Sequence, residues 1–555
     1  MTRADLMSRS PSWRSGTRQF LGRRVRERQS AGSLWACLPG GPMLVLVSNL
    51  TLPVLLMASG SMATESSPIA RCESLQTTEI PGTAIQETAA VAAQGELPAF
   101  CRIRGSIAPE IGFEARLPLE GWNGKYYQSG CGGFCGSLRP DKPGFSNTIN
   151  EALKLGYAAI TTDSGHKGGI GDASWAVGNA EAVEVYAHRT VPLTHAAGTR
   201  MVLAFYGRAT ELDYFSGCSN GGRLAAQTAF RYPELFDGII GGGPILELSI
   251  NGGVYGPWVV QANADAEGHT IINRQNFQHK LELLGAEILA QCDATDGSVD
   301  GMINLPRACE IDVTQLPKCA GANGPDCFTA DELGVISLWY QGPRDSAGRQ
   351  LYPGMPPGSE RYWLTWFLDG ENGSAPGNAL GSDFPKYLAF SETLPEAYSA
   401  LDFDFDTDPP GLSERAELLD AAHTDLRAFK AAGGKYLAWH GWQDPLVLPD
   451  QSVDWYEGIV EELGARSEVD PFLRLFMVPG MGHCWELPSN APDQFNPITV
   501  LEDWVERAQP PDRLIVRAVD PAQAKASASV LCPYPGLPIH LGAGDDPTEA
   551  ECAAP

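Results

Sequence analysis

The sequence predicts an α/β protein, a mostly parallel β-sheet with helices on both faces and one large insertion. Three observations predict it. Short apolar, β-branched runs alternate with stretches of helical spacing. The pentapeptide Gly217-Cys218-Ser219-Asn220-Gly221 lies between one such run and one such stretch. The alternation stops near Leu246 and resumes at Lys435.

In chain order, a short leader follows Cys72 and gives way to strands. Residues 113–117 alternate as a strand does. Residues 125–128 form another, which runs into Gly130-Cys131-Gly132-Gly133-Phe134-Cys135-Gly136. Residues 157–162 are apolar and β-branched and end at Asp163, and 193–206 have helical spacing. Tyr214-Phe215-Ser216 is a strand, 223–231 a helix, and 238–241 the next buried strand. Residues 250–430 are rich in Trp, Tyr, Pro, Gly and Asp, with few clean strands, and read as an inserted lid. Strands return at 435–440 and 472–478, and 500–507 is a final core helix. The expected division is a targeting segment over 1–63, a core in two parts (64–247 and 433–555), and a lid domain over 248–432.

A chain of 555 residues is long enough for a large core and two domains. Its net charge of −27 argues against nucleic acid or an anionic membrane surface as partner. The N-terminus is basic (Arg18, Arg23, Arg24, Arg26, Arg28), and residues 43–57 are apolar but interrupted by Asn49. That run is too short for a stable membrane span. Ser61-Met62-Ala63 places small residues at the −3 and −1 positions of a cleavage site, so a cleaved export signal is expected, with a signal anchor or a disordered tail as the alternative. Thirteen cysteines fit a secreted or periplasmic destination. Cys37 falls in the targeting segment and leaves an even number. Several of these lie close in sequence: Cys131/Cys135, Cys292/Cys309, Cys319/Cys327 and Cys532/Cys552. None forms a C-x-x-C pair, so structural zinc is not expected.

The pentapeptide is a nucleophile elbow, the tight strand-to-helix turn of α/β-hydrolases, with Ser219 as the candidate nucleophile. Gly217 and Gly221 supply the small neighbours the turn needs, with Gly222 as extra room. The acid of such a site follows a later strand, and Asp444 does so in His440-Gly441-Trp442-Gln443-Asp444-Pro445. His483, in Gly482-His483-Cys484, completes the order Ser, Asp, His. Asp450 and Asp454 are the competing acids, and His440 reads as a structural hydrogen-bonding residue. A nucleophile and its base must touch. Their neighbours Cys218 and Cys484 are then close enough to be bonded. The oxyanion hole needs two backbone N–H donors. Asn220 is one candidate, and the other comes from the loop 130–136, with Gly132 chosen and Gly133 next. Finally, Asp293, Asp296 and Asp300 recur in a glycine-containing loop that lacks the terminal Glu of an EF-hand. The spacing suits a calcium loop completed by the carbonyls of Ser298 and Met302 as well as it suits a solvated acidic turn.

With the elbow, Asp444 and His483-Cys484 taken together, the chain resembles the tannase and feruloyl esterase family from about Cys72 to Cys552. Trp122-Asn123-Gly124-Lys125, Thr162-Asp163-Ser164-Gly165-His166, Asp404-Phe405-Asp406-Thr407-Asp408-Pro409 and Cys532-Pro533-Tyr534-Pro535 support the resemblance. It implies an α/β-hydrolase core with a large lid, a triad of Ser219, Asp444 and His483, and a Cys218–Cys484 disulfide. It implies further bridges Cys72–Cys101, Cys292–Cys309, Cys319–Cys327 and Cys532–Cys552; the pair Cys131 and Cys135 is an addition of this sequence, and the resemblance leaves open whether it is bridged. It also implies structural Ca2+ on Asp293, Asp296, Ser298, Asp300 and Met302, no organic cofactor, and small aryl-ester substrates built on galloyl, hydroxycinnamoyl or terephthalate-type acids. Trp258, Tyr362, Trp363, Trp366 and Phe367 are candidates to hold an aryl ring, and Arg361 and Lys386 candidates for its polar group. The expected activity is that of a secreted serine esterase. An acyltransferase or peptidase on the same core, or a catalytically silent aryl-ester or glycan binder, is the alternative.

Overall fold

Nine strands build one sheet: β1 (Thr83–Val91), β2 (Phe100–Ile107), β3 (Ile111–Pro118), β4 (Lys125–Ser129), β5 (Ala158–Thr162), β6 (Leu212–Cys218), β7 (Gly238–Gly242), β8 (Lys435–Gly441) and β9 (Leu473–Val478). They lie in the order β1-β2-β3-β5-β4-β6-β7-β8-β9. The structure, a computed structural model, describes residues 67–141, 149–297, 299, 301–371, 373–484, 492–518, 528–539 and 546–553. The targeting segment 1–63, with Cys37 and the cleavage motif, lies outside the described residues. Among the described residues, no helix is long and apolar enough to cross a membrane.

The strands from β5 through β4 to β9 pair in parallel, whereas β1, β2, β3 and β5 pair antiparallel. Parallel neighbours need crossover connections, and helices supply them. Strands covered on both faces are apolar throughout, and β5 and β7 are buried at every residue. Successive residues of a strand face opposite ways. Tyr126 of β4 therefore joins one core with Met201 of the helix Thr190–Tyr206, Leu224 of the helix Asn220–Arg231 and Ile459 of the helix Asp450–Leu463. Tyr127 joins the other core, with Leu501 and Trp504 of the helix Pro497–Arg507. The edge strand β1 has no fully buried face, and a register shift between Ile85 and Glu87 breaks its alternation.

Between β7 and β8 the described chain is helical and adds no strand to the sheet. It packs a core of its own around Phe277, Trp339 and Trp363, which also takes in Leu446, Val447 and Leu448 after β8. A second contact joins Phe134 and Tyr186 to Leu248, Val254 and Phe384. All described residues belong to one compact unit. Six disulfides are present: Cys72–Cys101, Cys131–Cys135, Cys218–Cys484, Cys292–Cys309, Cys319–Cys327 and Cys532–Cys552.

Candidate active site

Strand β6 ends at Cys218, and the helix Asn220–Arg231 starts two residues later. Ser219 alone makes the turn, at φ 63° and ψ −125°, a conformation that a residue with a side chain adopts only under constraint. The close approach explains the glycines around it. A Cβ on Gly217 would lie 2.5 Å from the Gly221 carbonyl carbon, and one on Gly222 would lie 2.5 Å from the Gly242 carbonyl oxygen. The Ser219 N–H donates to that same Gly242 oxygen at 3.0 Å, so the neighbouring strand holds the turn.

Asp444 lies beyond the end of β8 and is fully buried. The N–H groups of Leu446 and Val447 both donate to its Oδ1 at 2.9 Å. Its Oδ2 meets His483 Nδ1 at 2.6 Å and His440 Nε2 at 3.2 Å. Burial pushes its pKa up, but the charge of His483 and the hydrogen bonds from both histidines outweigh it and bring the pKa down to about 2. His440 also contacts Val447 O at 2.9 Å through Nε2 and Ser452 Oγ at 2.7 Å through Nδ1. Val447 O only accepts, so Nε2 carries the proton and Ser452 donates to Nδ1. This ring is fully engaged in holding the Asp444 turn. The competing acids are occupied elsewhere: Arg307 pairs with Asp450 at 3.0 Å and reaches Asp454 at 3.6 Å.

His483 follows β9, and the Cys218–Cys484 disulfide brings its loop to the elbow, with Cα atoms 6.2 Å apart across a separation of 266 residues. Trp366 of the inserted segment stands edge-on to the His483 ring, with centroids 5.2 Å apart. Tyr362 of the same helix donates to Gly480 O at 2.6 Å. The insertion thus supports the histidine loop from outside.

The loop after β4 faces the elbow. Its Cys131–Cys135 bridge spans only four residues. The Gly132 carbonyl accepts from Cys135 N–H at 3.1 Å, and Gly133, at φ 58°, lines the cavity beside Ser219. The Asn220 side chain donates to Cys131 O at 3.1 Å and contacts Cys135 Sγ at 3.3 Å. Arg223 Nε donates to Asn220 Oδ1 at 2.8 Å. The rest of this buried guanidinium donates to the carbonyls of Tyr186, Ala187 and Leu419. The motif 162–166 buttresses the loop's other side: Gly136 N–H donates to Asp163 O at 3.0 Å, and His166 Nε2 meets Phe134 O while its ring stacks on Trp175. Arg223 shares its helix with Arg231, and no motif in the sequence marks it as part of the site.

A cavity opens at Ser219 and Asn220. Phe134, Leu380 and Phe384 line one part, and Ile245, Leu446 and Val447 another. Two helices of the insertion, Gly256–Ala262 and Pro376–Tyr387, meet at its wall. There a Cβ on Gly256 would lie 2.6 Å from Gly381 Cα, so the two backbones touch. Of the aromatic candidates, Phe367 lines the cavity. Trp363 is buried against Trp339, and Trp258 packs on Phe405. Arg361 lies over Tyr362, and Lys386 donates to Glu396 O at 2.6 Å. Asn251, Tyr255 and Phe384 had no distinctive sequence signal beyond the glycines at 252, 253, 256 and 381, which mark close packing.

Asp293 and Asp296 sit on a short turn after the helix Leu281–Cys292, closed by Cys292–Cys309. Both Asp293 oxygens accept from Gly301 N–H, at 2.9 and 3.0 Å, and Asp296 Oδ2 accepts from Asn304 Nδ2 at 2.6 Å. The two aspartates offer carboxylate oxygens, which fit a hard cation, and Met302 follows nearby in sequence. Ser298 and Asp300 lie outside the described residues. Elsewhere, exposed Asp265, Glu267 and His269 place ligand atoms within 4.8 Å of one another, a cluster able to chelate a metal.

A mostly parallel sheet, a strained serine between strand and helix, and a buried Asp–His pair beyond later strands place the chain among the α/β-hydrolases. The sequence profile of tannase and feruloyl esterase matches residues 93–553, and the chain belongs to that family. It is a carboxylic ester hydrolase. It is 32% identical to an uncharacterized esterase of Xanthomonas campestris, over 88% of this chain and 92% of that one. It is 33% identical to a mono(2-hydroxyethyl) terephthalate hydrolase of Piscinibacter sakaiensis, over 84% and 87%. The fold matches the crystal structure of feruloyl esterase B from Aspergillus oryzae with a TM-score of 0.74 at 24% identity, covering 88% of this chain and all of that one. It matches a tannin acyl hydrolase from Aspergillus niger with a TM-score of 0.67 at 21% identity, over 86% and 92%.

Proposed function

We propose that the protein hydrolyses small esters of aromatic carboxylic acids through an acyl-enzyme on Ser219. The carrying observation is the 2.6 Å contact of His483 Nδ1 with Asp444, on a loop bonded to the elbow beside Ser219. Asp444 holds the Nδ1 proton and leaves Nε2 as the base. Ser219 Oγ attacks the ester carbonyl while His483 Nε2 takes its proton. The oxyanion is held by the N–H groups of Asn220 and of Gly132 or its neighbour Gly133. Collapse expels the alcohol, which leaves with the proton from His483. Water repeats the sequence on the acyl-enzyme and releases the acid.

Residues 248–432 act as the lid, and their contacts with the histidine loop support that reading. Asp293, Asp296 and Asp300 with the carbonyls of Ser298 and Met302 would hold a calcium ion, which would neutralise their charges and order the lid. No step of hydrolysis uses it. Six disulfides support export to an oxidising compartment, secreted or periplasmic. The test is a pre-steady-state burst of p-nitrophenol from an aryl ester. A burst equal to the enzyme concentration, lost in Ser219→Ala, is the expected result, and its persistence in that variant overturns the assignment.

A further inference from the structure

Among the described residues lining the cavity at Ser219, none is Asp, Glu, Lys, Arg or His. Its polar side chains besides Ser219 are Tyr186, Asn220, Asn251 and Tyr255. Each already donates to the protein's own carbonyls. Tyr255 Oη donates to Pro445 O at 2.6 Å, and Tyr186 Oη to Gly133 O at 3.3 Å. Asn251 Nδ2 donates to Leu446 O at 3.1 Å, and Asn220 Nδ2 to Cys131 O at 3.1 Å. The amide oxygens are engaged as well, by Gln451 Nε2 at 3.3 Å on Asn251 and by Arg223 on Asn220. The remaining wall is aromatic and aliphatic. A ligand carboxylate needs donors or a cation when it leaves water. Among the described lining residues there is no cation, and each polar side chain other than Ser219 is already bonded to the protein.

Resting on the assignment of Ser219 as nucleophile, we infer that the acyl pocket selects uncharged, hydroxyl-poor aryl groups, of the benzoyl and cinnamoyl class, and rejects an acyl group with a second, ionised carboxylate. The two rejections differ in strength. An apolar pocket turns away an added hydroxyl only weakly, by up to about 100-fold. A carboxylate that remains charged and unpaired is turned away more strongly. Hydroxycinnamoyl esters therefore remain substrates, and terephthalate monoesters do not compete.

Dimethyl and monomethyl terephthalate share one aryl core and differ by one methyl group and one charge at neutral pH. The expected result is a kcat/KM for the diester at least about 100-fold above that for the monoester, with methyl cinnamate on the diester's side. A monoester within fivefold of the diester, in a reaction abolished by Ser219→Ala, overturns the charge selection and leaves the nucleophile standing. Activity that survives Ser219→Ala overturns the nucleophile instead. Calorimetry on Ser219→Ala then still reads the pocket. Methyl benzoate binding with monomethyl terephthalate silent supports the inference, and equal binding of both overturns it.

Discussion

Arg223 Nε donates to the amide oxygen of Asn220 at 2.8 Å and so decides which way that amide faces. The NH2 group is left to donate to Cys131 O in the loop beside Ser219. Two donors in sequence therefore tie the first turn of the elbow helix to the glycine-rich loop. Asn220→Asp keeps the size and the backbone N–H but replaces the donor to Cys131 O with an acceptor. The expected outcome is a fall in kcat of at least about tenfold with little change in KM, since the loop and not the acyl wall is displaced. Steady-state kinetics beside a thermal melt checks this. A change confined to KM counts against it.

Ser219→Ala and Asp444→Asn should leave the fold in place and reduce kcat by about 10⁴–10⁶ and about 10⁴ respectively, the scale of losses in other serine hydrolases. Asp450→Asn, whose partner is Arg307, should stay within a few-fold of wild type. If Asp450→Asn is the more damaging of the two Asn variants, the acid is misassigned.

Replacing both Cys218 and Cys484 by Ala opens a loop of 266 residues. In the chain-entropy model the bridge contributes about 5 kcal/mol, an upper bound once native strain is counted. The variant should melt at lower temperature and lose kcat more than affinity. Mass spectrometry of non-reduced peptides reads the bridge directly, and free thiols at both positions in fully active enzyme would refute its role.

Chelation should act on stability before activity. With EGTA the melting temperature is expected to fall, and added calcium should restore it. An unchanged melt with no metal in the protein by elemental analysis rules out the Asp293–Asp296 site.

Glu247 and Asp420 should contribute stability that is lost as pH rises from about 4.5 to about 7. Glu247 stands where the chain enters the insertion. Burial, aided by the charges of Asp420 and Asp454, pushes its pKa up to about 7 from 4.5. Burial likewise pushes Asp420 up to about 6, against hydrogen bonds from Ser249. Across that window these two carboxyls hold more protons in the native state than in the unfolded chain, so the stability they contribute falls with rising pH, whereas His188, which burial pulls down to about 4, contributes the opposite slope. Asp444 acts oppositely but lower, since its contribution is complete above about 4 and is lost only as pH falls toward 2. Glu247→Gln should flatten the dependence of melting temperature between pH 5 and 7, and an unaltered slope contradicts the assignment.

The parallel half of the sheet is legible in the sequence because β5, β7 and β8 are short apolar runs between turns. Strand β1 is not, because Thr83, Gln86 and Glu87 on a half-exposed edge have no buried face to impose a pattern. Ser219, Asp444 and His483 are legible as candidates because each stands just past a strand end, where this fold places side chains at one rim. The cavity wall is not. Phe134, Tyr255, Phe384 and Val447 come from four distant segments, and nothing local in any of them announces a common surface. Cys131 and Cys135 could be read as neighbours but not as bonded, since the distance between them depends on the turn at Gly132 and Gly133.

The contact of Gly256 with Gly381 makes this wall of the cavity at Ser219 adjustable in one direction only. Where two backbones touch, no side chain remains to be trimmed, and any residue larger than glycine wedges the helices apart. On this wall, adaptation to a bulkier acid proceeds through Phe384, Leu380 or Phe367, whose truncation adds room without moving either helix. Lineages of this enzyme that broaden their substrate range should vary at those three positions while the glycine pair stays unchanged.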